Sequence, residues 1–151
     1  MDDTVKSILE GIALDKVDNP DEGVYEGSIY QGSTLKESDR GNFFHEEKWL
    51  LSRKNGSTFE FTTRPVLYPE EWDEEEWGPS IKHQTKQHFV RLGLLEEKDG
   101  YPTLRGSQDD RRSSAEKITE AVNSLVGRIY TVGLRENRDG DLKLTIRKAK
   151  K

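Results

Sequence analysis

No cysteine occurs among the 151 residues, which removes disulfide scaffolds, thiol nucleophiles and cysteine-ligated zinc together. No run approaches the ~20 apolar residues of a membrane span, and the N-terminus lacks the basic-then-apolar pattern of a secretion signal. A cytoplasmic protein is therefore expected. Without a secretion signal, Asn55-Gly56-Ser57 reads as a turn and not as a glycosylation triplet. Apolar residues are scarce, 31% against 35% charged, so a thin core under a large polar surface is expected. Thirteen aromatic residues spread along the chain oppose wholesale disorder, and the length suits one domain.

The signatures of catalysis are missing as well. There is no Walker phosphate loop, no dinucleotide glycine fingerprint and no His-Glu-x-x-His. His83 and His88 stand five residues apart on an expected helix, about 500° of rotation, which does not bring them together for a metal. The carboxylates of 70–76 lack the spacing of a calcium loop. No nucleophile–base pair emerges, so the reading is of a protein that is not an enzyme and needs neither metal nor cofactor.

Charge is present but uneven. The net charge is −5, yet residues 69–77, Pro-Glu-Glu-Trp-Asp-Glu-Glu-Glu-Trp, hold six carboxylates and no base. The remainder of the chain carries +1, and the segment from Arg128 onward carries +5. An acidic loop and a basic final segment on a neutral body make an asymmetric field. The acidic run is equally readable as a solvated loop.

Residues 1–22 read as an N-terminal extension with a short helix near Thr4–Gly11, capped by Thr4, and residues 23–151 as the domain. Val24–Tyr30, with Gly23 and Gly27, suggests a bent or bulged first strand, followed by a polar stretch from Gly32 to Asn42. Phe43–Arg53 is the second strand. Asn55-Gly56 predicts a two-residue type I′ hairpin to the third, which sets Ser52 opposite Phe59 and Leu50 opposite Phe61. Leu50, Phe59 and Phe61 then face the core, and Trp49, Leu51, Arg53, His45 and Arg64 face away.

After the acidic run, Ser80 can cap a helix of about 81–92. Residues 99–112 read as loop. Ser113 with Glu116 makes a capping box for an amphipathic helix of about 114–126, ending before Gly127. Two strands, Arg128–Asn137 and Asp141–Lys148, close the chain. A three-residue loop, Arg138-Asp139-Gly140, aligns Val132 and Leu134 with Leu142, Leu144 and Ile146. The other face presents Thr131, Arg135, Lys143, Thr145 and Arg147.

Three strands, a helical insertion and two strands give a mainly β fold in the element order of a five-stranded OB-like barrel. The chain resembles bacteriophage single-stranded-DNA-binding proteins with an OB fold. The likeness lies in Gly23–Ile29, the hairpin around Asn55-Gly56, the segment Leu125–Val132 and the closing Asp139–Ile146. It departs at the C-terminus, where Arg147-Lys148-Ala149-Lys150-Lys151 stands in place of an acidic partner-recruiting tail. The resemblance implies sequence-independent binding of single-stranded DNA, its protection during phage replication or recombination, replication or recombination proteins as further partners, and room for a homo-oligomer.

On this reading a base stacks on Trp49, with Phe43 or Tyr30 beside it, while Arg53, Lys54 and Arg64 follow the phosphates. Arg128, Arg135, Lys143 and Arg147 form a second basic group. In the opposing view Trp49 is covered by the 81–92 helix or by the N-terminal segment. A different class of function is a protein-interaction or DNA-mimic module in which Trp72, Glu74, Glu75, Glu76 and Trp77 contact a basic partner.

Overall fold

The second strand shows why a sheet forms here. In a computed structural model, Phe43, His45, Glu47, Trp49 and Leu51 are all buried while each residue between them is less so, the two-residue period of a strand with one covered face. The structure describes residues 21–69, 79–100 and 103–149, without the side chains of 79–82. The expected N-terminal helix, residues 70–77 of the acidic run, and Lys150 and Lys151 lie outside the described residues.

The order is β1 (Gly23–Glu37), β2 (Phe43–Ser52), β3 (Thr58–Thr63), β4 (Val66–Leu67), α1 (Pro79–Leu92), α2 (Gln108–Asn123), β5 (Ile129–Glu136) and β6 (Leu142–Ala149). Among the described residues they build one antiparallel sheet of six strands, where five were expected, in the order β3-β2-β1-β5-β6 with the extra strand β4 pairing the start of β2. Among the described residues β3 and β6 do not pair, so the sheet is not closed. Arg64-Pro65 separates β3 from β4, as a residue lacking N–H must break the ladder, and the Pro65 carbonyl accepts from His45 N–H instead.

The first hairpin differs from expectation by one residue. Leu51 pairs with Phe59 and Trp49 with Phe61, because the loop is the three residues Lys54-Asn55-Gly56 with Gly56 at φ +89°. That is the same loop form as the second hairpin, where Gly140 at φ +86° closes Arg138-Asp139-Gly140 as expected. The one-residue slip transfers the whole odd set of β2 from one face to the other. Trp49, Leu51, Phe59 and Phe61 pack together with Tyr30, Val132, Leu134, Leu144 and Ile146. Large apolar side chains buried this way contribute roughly 1.5–3 kcal/mol each.

β1 is longer than expected, running through the polar stretch to Glu37, with register breaks at Tyr25/Ser28 and Tyr30/Gly32. The breaks let Tyr25 and Tyr30, of opposite parity, both point inward. α2 begins earlier than expected: Ser107 caps it in a reciprocal box with Asp110, so part of the presumed loop is helix and Ser113–Glu116 lies inside it.

Side-chain hydrogen bonds tie the helices to the sheet. On α2, Thr119 Oγ1 lies 2.9 Å from His45 Nε2, and the Asn123 amide both accepts from Ser33 N–H and donates to Ser33 C=O. On α1, His88 bonds Glu47, and the Tyr130 hydroxyl donates to the Leu92 carbonyl. No helix among the described residues is long and apolar enough to cross a membrane.

Candidate nucleic-acid interface

The register correction decides where each expected contact residue sits. Trp49 is fully buried, its ring packed against Tyr30 and Tyr130 and its indole N–H donating to Glu47 Oε1 at 2.7 Å. Tyr30 is equally buried, its hydroxyl 2.6 Å from Ser33 Oγ. Burial also drives the Tyr30 hydroxyl well above the usual phenol range. Phe43 is buried with the Arg112 guanidinium over its ring. None of the three offers a face for stacking; they are core residues, because inward is the only side of the sheet that buries Trp49, Leu51 and both β3 phenylalanines at once.

Arg53 lies 4.2 Å over the Phe59 ring and closes the end of the core. With Lys54 it borders a depression shared by Asp21, Glu22 and Glu26, where carboxylates outnumber cations. Arg64 is at the far end of the hairpin from Lys54, exposed, with Glu46 3.8 Å away. The expected cluster on β2 and β3 therefore separates into three places.

The second basic group assembles better. On the outward face of β5 and β6, Arg135 pairs with Lys143, and Arg147 lies across Gly133 so closely that a Cβ there would meet its Nε at 2.8 Å. Arg135 and Arg147 line a shallow groove with Val24, Thr145 and Arg91 of α1, with Glu22 as the one acid among its described residues. The Glu22 carboxylate takes the Glu136 N–H. Arg128 stands apart, beside Gly93 and Tyr130.

Lys143 faces a second depression, a cleft of about 490 Å³ between α1, the β3–β4 corner and β6. Arg64, Arg91, Lys143, His83 and His88 line it, and its described lining includes no carboxylate. The Lys143 ammonium donates to Gln84 Oε1 across it. Arg91 and Thr145 border both the cleft and the groove, so the two adjoin at β6. Sequence reasoning missed Arg91, which anchors to the Ile146 carbonyl at 3.4 Å. The signal available was a lone arginine in the last turn of an amphipathic helix, and nothing local says which strand that turn meets.

Beneath the cleft lies a buried polar pair. Glu47 Oε1 accepts from both Trp49 Nε1 and His88 Nε2, each at 2.7 Å. His45, two residues earlier on the same face, is fully buried, and that burial pulls its imidazole pKa down to about 4 despite the opposing pull of Glu47. It is a neutral structural residue at ordinary pH. Among the described residues no group of His, Asp or Glu side chains is arranged to hold a metal. Trp72, Glu74, Glu75, Glu76 and Trp77, the alternative partner surface, lie outside the described residues.

No family model matches the chain, and no curated protein is detectably similar to it.

Proposed function

We propose that the protein binds single-stranded DNA without sequence specificity, along the basic track that crosses β6. The observation that carries the reading is the adjacency of groove and cleft: Arg135, Arg147, Arg91, Lys143 and Arg64 come together from β5, β6, α1 and the β3–β4 corner of a chain whose net charge is −5. A track that gathers cations beside hydroxyl and amide side chains suits a phosphodiester backbone, which is held by charge and by hydrogen bonds to its oxygens.

The strand order supports the same reading. An open sheet in the order β3-β2-β1-β5-β6, with the helices inserted before β5, agrees with the element order expected of an OB-like fold. OB folds bind oligonucleotides chiefly on the face of strands 2 and 3. Here that face is mixed in charge, and the cations favour the opposite edge. In the phage setting that the sequence resemblance implies, the activity would protect unwound strands in replication or recombination.

The test is fluorescence anisotropy of an end-labelled oligothymidylate at 50 and 200 mM salt. Affinity is expected to fall steeply with salt, with a log–log slope of about −0.7 for each phosphate bound. Absence of binding at the lower salt overturns the reading.

A further inference from the structure

The cleft under α1 is lined differently from the groove beside it. The groove presents backbone, Val24, Thr145 and arginines, and no aromatic residue among its described lining. The cleft adds a floor of the partly exposed Pro65 and Val66, with His83 and His88 on its α1 wall, and the buried Tyr68 borders it without an open face. At about 490 Å³ it falls within the ~300–1,000 Å³ typical of small-ligand sites. Cations, partly exposed apolar side chains and imidazole rings thus share one lining, the chemistry that a phosphate-bearing base requires.

The floor is also rigidly supported. Tyr68 is buried, and its backbone C=O accepts from Leu104 N–H at 2.9 Å. The His88 ring is fixed by the buried Glu47 carboxylate, which the Trp49 indole holds in turn. A His on a surface helix would ordinarily sample several rotamers; this one is anchored at the cleft wall from behind.

We infer that the cleft takes one nucleotide of a bound strand out of line, its base lodged against Pro65, Val66 and His83 and its phosphate held by Arg64, Lys143 and Arg91. The inference rests on the strand-binding reading above and adds to it a discrete base site. Non-specific tracking of the backbone needs no such site.

The wild-type protein suffices for the test. Affinities for an end-labelled oligothymidylate and for an abasic deoxyribose-phosphate strand of the same length are compared at one salt concentration. A lodged base is worth roughly 1–3 kcal/mol, so the abasic strand is expected to bind about 5- to 150-fold more weakly. Equal, salt-dependent affinities would overturn the base site and leave strand binding intact; no binding of either removes both.

Location is read separately, with a strand carrying a single photoreactive 5-iodouracil. Cross-links to His83 or His88 are the expected result. Cross-links confined to aromatic residues outside the cleft, such as Phe44, overturn the assignment even if the abasic strand binds weakly.

Discussion

His88 places its Nε2 2.7 Å from Glu47 Oε1, the oxygen that also receives the Trp49 indole N–H. A carboxylate with no solvent exposure is thus held by two donors from two elements. Removing one member of such a pair leaves an uncompensated polar group, whereas an uncharged acceptor in place of the carboxylate keeps both bonds. His88→Ala is expected to destabilise the fold by about 3 kcal/mol, and Glu47→Gln by less. Urea unfolding of the two variants gives the comparison; a larger loss in Glu47→Gln would contradict it.

Trp49→Phe separates packing from recognition. The indole lies between Tyr30 and Tyr130 with no exposure, so the variant loses core volume and the bond to Glu47. A loss of about 1–3 kcal/mol in stability is expected, with oligothymidylate affinity unchanged within twofold at a temperature where the variant is folded. A tenfold loss of affinity in the folded variant would restore Trp49 to the interface.

Acid should weaken the protein through His45. Its pKa is about 4 in the fold against 6.5 as the ordinary value, because burial penalises the cation. Between these values the unfolded chain takes up a proton that the folded one refuses. Stability from this group is therefore complete above pH 6.5 and drains away as pH falls toward 4, by about 3 kcal/mol in total. In His45→Gln the urea midpoint is expected to fall less between pH 7 and pH 4.5 than in the wild type. An equal fall in both proteins assigns the acid sensitivity to other groups.

Reversing charge on the track should reach binding without reaching the core. Arg135 and Arg147 are exposed and make no ion pair among the described residues. The double change Arg135→Glu, Arg147→Glu is expected to cut oligothymidylate affinity at least tenfold at low salt and to flatten the salt slope by about 0.7 for each phosphate that is no longer held. Arg53→Gln, which alters the cation over Phe59, should leave both quantities in place. Anisotropy titrations at three salt concentrations distinguish the two variants.

Gly56 and Gly140 occupy the third position of equivalent loops, at φ +89° and +86°. A Cβ at either would meet nothing within 4 Å, so the cost of alanine is conformational alone. About 1 kcal/mol is expected from each, measured by thermal unfolding, and the two should add because the loops share no partners.

That equivalence explains what was legible in the sequence. Arg138-Asp139-Gly140 could be placed because Val132, Leu134, Leu144 and Ile146 align in only one register. Asn55-Gly56 satisfies a two-residue turn by itself and equally supplies the last two residues of a three-residue loop. The local signal is silent between them, and the choice falls to packing: the longer loop buries Trp49 and Leu51 with Phe59 and Phe61, the shorter one only Leu50 with the phenylalanines. The order of the five long strands and the outward cations of β5 and β6 were readable from the pattern of residues, whereas the two-residue β4 was too short to show. Arg91 and His88 were not, since their roles arise where α1 crosses strands distant in sequence.

The central position of β1 has a kinetic consequence. One of its edges pairs with β2, the next strand in the chain, and the other with β5, so that Val24 meets Gly133 only after nearly the whole polypeptide lies between them. Closing that span costs loop entropy before any pairing repays it, whereas the β1–β2–β3 meander can zip from its turns. During synthesis the meander leaves the ribosome first and waits with the free edge of β1 unpaired. The rate of acquiring the native state is accordingly set by the arrival and docking of the C-terminal hairpin, and a chain truncated before Arg128 would present that edge to other chains as a template for aggregation.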